Sequence, residues 1–280
     1  MRTWKHALLA GALMGLSGQA AAINIGGIEI PTGAHFEVTS VFENVIFGNG
    51  QTLSGYGEVT QINGNAVSSL CAGCELTFRF GGFVSKNFLG TTAEFDGGWV
   101  NVFLGFGADN DFNPFASPSS AADIAAATNG TLWLTLSGHV DDVAPVAPGP
   151  AGDAVLFATG ANFGTGADAG TGTGLLDVDL TGAANGNAAG PGAIANNNFN
   201  TDSIADNLGG FADLQLGTSF SNVLAPHPTE CVPLAAFPGG ASCLAGSADL
   251  RGLVIPEPGS LALLGLALAG LAVVARRAKA

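Results

Sequence analysis

The sequence predicts an all-β extracytoplasmic domain, mainly antiparallel and sandwich-like, held between two apolar chain ends. Three observations carry this expectation. Glycine is abundant, with 43 residues, while charged residues make up only 11% of the chain, so the charged helix formers are scarce. Several segments alternate apolar and polar residues with period two, the pattern of half-buried strands. Gly- and Asn-rich stretches separate those segments, as turns separate the strands of a sandwich.

Taken in chain order, residues 1–22 read as a secretory signal peptide. "MRTWKH" is the positive leader, "ALLAGALMGLSG" the apolar stretch, and "QAAA" the small-residue site, with cleavage after Ala22 or alternatively after Ala20. Residues 23–254 form the β-rich body. "AHFEVTSVFENVIF" and "GGWVNVFLGFG" are less regular strands. "CELTFRF" sets Leu76, Phe78 and Phe80 against Glu75, Thr77 and Arg79. "TLWLTLSG" sets Leu132, Leu134 and Leu136 against Trp133 and Thr135, and "GLLDVDL" sets Leu176, Val178 and Leu180 against Asp177 and Asp179. "SADLRGLVI" alternates as well. One short helix is expected in "ASPSSAADIAAATNG": Ser117 precedes Pro118 at a first helical position, Ser120 and Asp123 have capping-box spacing, and Gly130 is a terminator. Residues 145–200 are low in complexity and read as long loops between a few strands, or else as partly disordered.

Four cysteines fall in two local pairs, and the expected disulfides are Cys71–Cys74 and Cys231–Cys243, as suits an oxidising compartment. "CAGC" leads into a strand rather than a helix, which argues against a redox motif. "GADNDFNP" places Asp109, Asp111 and Asn113 at alternate positions, the start of a calcium-loop pattern, but Pro114 stands at the sixth position where an EF-hand has glycine. These three residues are the candidate ligands for a structural Ca2+, with an ordinary turn as the alternative; no other cofactor is expected. No nucleophile elbow, zinc-protease motif or P-loop is present, and the chain is read as a non-enzyme. Trp99 and Trp133 are candidate sugar-stacking platforms, or else core residues.

The tail differs from the body. Residues 260–275 carry no charge, and at about 1.5 Å per residue they span about 24 Å as a helix. Pro256 and Pro258 bound this transmembrane segment on one side, and Arg276, Arg277 and Lys279 on the other, in the basic tail 276–280. By the positive-inside rule the body lies outside the inner membrane. The order Pro256-Glu257-Pro258, apolar helix, basic cluster over residues 255–280 resembles the PEP-CTERM sorting signal. That resemblance implies export, recognition by an exosortase-type membrane enzyme, and transfer to the cell surface of a bacterium that makes exopolysaccharide. The implied partners are the Sec translocon, the exosortase, the inner membrane in passing, and exopolysaccharide.

Charge excludes one further class. The chain carries a net −14, and residues 23–254 hold 3 basic against 21 acidic residues, so the body repels nucleic acid. The expected function is structural, in a surface or biofilm matrix. The alternatives are a carbohydrate-binding module or adhesin and, behind these, a secreted hydrolase.

Overall fold

A computed structural model describes residues 22–31, 33–143, 152–164, 168–181, 193–222, 225–227, 230 and 244–255. The signal segment up to residue 21, Cys231, Cys243, Pro256-Glu257-Pro258, the apolar segment 260–275, and Arg276, Arg277 and Lys279 lie outside the described residues.

Nine strands form the wall of one eleven-stranded sheet, completed by the two-residue strands Gln61–Ile62 and Asn65–Ala66: β1 (Gly33–Glu43), β2 (Thr52–Glu58), β3 (Cys74–Leu89), β4 (Thr92–Phe106), β5 (Thr131–His139), β6 (Leu156–Ala161), β7 (Ala169–Val178), β8 (Leu214–Ser221) and β9 (Leu244–Leu253). Strands that follow one another in the chain pair antiparallel, apart from β5 and β6. The expected sandwich is corrected here. The last strand β9 returns to the first, with Leu253 opposite Gly33 and Leu244 opposite Glu43. The sheet is therefore closed on itself, an up-and-down barrel without free edges in its wall.

The barrel has eight staves, because β5 and β6 share one. β5 pairs with the second half of β4 (Trp99–Leu104), and β6 with the first half (Thr92–Phe95); both pair with β7 on the other side. Between them the chain leaves the wall and forms the hairpin Asp141–Val143 with Gly152–Ala154.

Alternation along the strands fills the lumen. Phe36 and Val38 of β1, Leu76, Phe78 and Phe80 of β3, Val100, Val102 and Leu104 of β4, and Leu134 and Leu136 of β5 all belong to one buried cluster, with Val100 partly buried at its edge. Glycines on β2 make room for the rings. A Cβ at Gly57 would lie 2.6 Å from the Phe78 ring, and one at Gly55 as close to Phe80. One end of the barrel is stoppered by the hairpin Ile23–Ile25 with Ile28–Ile30, whose Ile25, Ile28 and Ile30 are buried, and by Trp133 and Phe199. Trp133 and Phe199 meet edge-to-face at 5.6 Å.

Two expectations about detail are corrected. β5 bulges between Leu132 and Leu134, so Trp133 is the unpaired residue and sits fully buried, while Leu132 is half-buried. β7 ends at Val178, so Leu180 is exposed and Asp179 turns in to accept from the Thr181 backbone and hydroxyl. The expected helix forms as α1 (Ser120–Ala127), with Ser119 as its cap rather than Ser117 or the capping-box Ser120; the Ser119 hydroxyl accepts from the Ala122 N–H at 3.2 Å. It packs on the outside of the wall, where Ala127 and Ile124 meet Phe42 and Tyr56.

Candidate functional site

The lumen is a concave, apolar feature of the described molecule. It holds a cavity of about 130 Å³, walled by Phe78, Phe80, Phe83 and Phe95 among other apolar residues. Two carboxyl groups, Glu43 and Asp168, also line it, and Asn44 and Thr218 are its other polar side chains. Glu43 faces inward because β1 carries an extra residue. Val38 pairs with Ala248 and Val41 with Gly246, so the inward set shifts from even to odd numbers across Thr39–Ser40. Burial, with the adjacent Asp168 carboxylate adding to it, pushes the Glu43 pKa up to about 8. Asp168 is buried and accepts from the Gly164 N–H at 2.6 Å. Phe88, Phe163 and Phe220 line the cavity as well, with ring centroids 6.2 and 5.6 Å apart in succession.

Polar clusters on the outside have different chemistry. Ser117, Asp123 and His227 come together, but not as a relay. The same His227 Nε2 meets Ser117 Oγ at 3.1 Å and Asp123 Oδ2 at 3.0 Å, and Ser117 also donates directly to Asp123. A nucleophile–base–acid relay needs the two partners on opposite ring nitrogens. Asp123 further accepts from the buried Tyr56 hydroxyl at 2.8 Å, so this carboxylate docks α1 onto the barrel instead of capping it. His139 is held by Asp177 on Nδ1 and Asp206 on Nε2, each at 2.8 Å. Burial disfavours its charge, but the Asp206 and Asp177 carboxylates outweigh that and raise its pKa. With both ring nitrogens engaged by carboxylates, His139 is held as a bridge between Asp177 and Asp206.

The candidate calcium residues lie in an exposed stretch after β4. Asp111 Oδ1 accepts from Asn129 at 3.0 Å, and Asp109 ends a short 3-10 turn. Among the described residues no group of three or more His, Cys, Asp or Glu side chains is arranged to hold a metal ion. Sequence reasoning missed the neighbour of this turn. Glu75 is buried, with Oε2 accepting from the Phe112 N–H at 3.0 Å and Oε1 unpaired. Burial pushes its pKa up to about 7, although the Phe112 and Asp111 N–H groups pull it down. Trp133 is a core residue whose Nε1 donates to the Ile25 carbonyl at 3.1 Å, so it is no stacking platform. Trp99 is half-buried on the outer wall, across the glycines Gly81 and Gly82.

The expected disulfide Cys71–Cys74 is present, closing the turn into β3. At the other terminus β9 ends at Leu253, and Ile255 is clamped to the short helix α2 (Asn196–Phe199). Its N–H donates to the Asn198 carbonyl at 2.8 Å, and its carbonyl accepts from the Asn198 amide at 3.1 Å. Beyond this clamp the order of residues is decisive. Residues 254–277 match the PEP-CTERM protein-sorting motif. The PEP-CTERM segment thus begins within one residue of the barrel's closing strand. It implies export with a C-terminal sorting signal and an exosortase as processing partner. No curated protein and no solved structure matches the chain. Among the described residues no helix is long and apolar enough to cross a membrane.

Proposed function

We propose that the chain is a surface or extracellular-matrix protein whose barrel serves as a structural module in an exopolysaccharide or biofilm layer. In this reading residues 1–22 direct the chain through the Sec translocon. The body folds outside the inner membrane, residues 260–275 hold it there in passing, and the basic tail stays in the cytoplasm. An exosortase-type enzyme then reads Pro256-Glu257-Pro258 and releases or transfers the body. The observation that carries the proposal is the PEP-CTERM match directly after the closing strand. A non-catalytic role is supported by the two ring nitrogens of His139, both engaged by carboxylates, and by the single ring nitrogen that His227 shares between Ser117 and Asp123. The alternative, a carbohydrate-binding module, rests on Trp99 alone.

The sorting step is tested in a strain that has the machinery. Pro256→Ala combined with Glu257→Ala is expected to leave a longer, membrane-bound form, while the wild-type chain is shortened at its C-terminus. If mass spectrometry finds the same intact C-terminus in both, the tail is a plain anchor and the sorting reading fails.

A further inference from the structure

We propose that the barrel lumen binds a small organic ammonium ion, an amine or quaternary ammonium carried on a compact apolar body. This goes beyond the sorting route and does not depend on it. The cavity of about 130 Å³ is of the size that accepts a benzene-sized molecule, and an eight-stave barrel is wide enough to hold one such ligand. The walls account for the apolar body. The charge preference comes from the two acids. Glu43 and Asp168 are the charged side chains lining the cavity, and no basic side chain lines it among the described residues. Asp168 has a backbone N–H from Gly164, whereas the Glu43 carboxyl has no hydrogen-bond partner among the described residues.

Glu43 is half-buried at the lining of an apolar cavity, where its ionised form is disfavoured. An ammonium ion supplies the absent partner. It pairs with Glu43 and relieves the repulsion from Asp168, while the faces of Phe88, Phe163 and Phe220 attract its charge. The net charge of −14 also gathers cations around the whole molecule. A neutral ligand has less to gain, because a protonated Glu43 offers it a single hydrogen bond. Binding the cation expels the Glu43 proton to solvent. With that acid poised near pH 8, affinity for the cation rises from pH 6 to pH 8, and affinity for a neutral ligand does not.

The test is calorimetric titration of the full chain, held in lipid nanodiscs, with benzylamine and with benzyl alcohol of nearly the same shape. Benzylamine is expected to bind at least tenfold more tightly than the alcohol at pH 8, with the gap narrowing at pH 6. Glu43→Gln is expected to bring the two probes together. Ala248→Phe, which fills the cavity from β9, is expected to abolish binding of both. Equal binding of amine and alcohol to the wild-type chain overturns the proposal. So does a preference that survives Glu43→Gln, binding that survives Ala248→Phe, or no binding of either probe.

Discussion

Glu43 and Glu75 both hold a proton that the unfolded chain gives up. The usual value for such an acid is 4.5, and folding raises it to about 8 and about 7 respectively. Below pH 4.5 both states are protonated, and the two acids cost the fold nothing. As pH rises, the unfolded state ionises first and is favoured, so stability falls until the folded acids also ionise, near pH 7 to 8. We expect a melting temperature higher at pH 5 than at pH 8, with the fall flattened by Glu43→Gln. Scanning calorimetry at the two pH values checks this; an unchanged slope in the variant would mean that Glu43 is hydrated in the lumen. Neither raised acid is legible in the sequence. Alternation puts Glu75 on the outer face of β3, where it lies, but period-two patterning has no means of showing that the segment after β4 folds back over it. Glu43 is hidden by a bulge of one residue, which moves everything beyond it to the opposite face.

Local pattern serves best for whole elements. The strands around Leu76–Phe80, Leu134–Leu136 and Ser247–Leu253, and the helix α1 on the outer wall, are all readable from spacing and turn residues. The interruption between β5 and β6 is not, because two strands that share a stave look no different in sequence from two neighbours. The Cys71–Cys74 link is readable from export and spacing together. It closes a very short loop, so in the chain-entropy view its loss costs only about 2 kcal/mol. Replacing both cysteines by serine is expected to lower the unfolding free energy from urea denaturation by that modest amount while leaving the circular dichroism of the barrel intact. A loss of several times that size would show that this turn supports more than its own loop.

At the scale of the whole molecule, closure is the property the sequence conceals. A sandwich and a closed barrel are built from the same alternating strands, and they differ here in the pairing of β1 with β9, more than two hundred residues apart. Nothing local encodes such a contact. The wall can be attacked beside this seam at Gly246, where a Cβ would stand 1.8 Å from the Ser219 carbonyl oxygen of β8. Gly246→Val forces the β8 and β9 backbones apart beside the irregularity opposite Val41. We expect it to destabilise by about 3 kcal/mol, the upper end of overpacking costs, and to promote association through the exposed edges. Urea denaturation and light scattering measure the two effects. Normal stability in the variant would show that β8 and β9 can give way there without opening the wall.

The same seam sets how the molecule responds to pulling. Gly33 and Leu253 face each other at one end of the barrel, so the chain enters and leaves the wall side by side. Tension applied between the N-terminal hairpin and a C-terminal tether does not slide β9 along β1. It peels the two strands apart, loading the cross-strand hydrogen bonds one after another rather than together. A body held by its tail and tugged through its front is therefore a weak mechanical link that unzips, while the remaining staves, off the line of force, stay paired until the seam has gone.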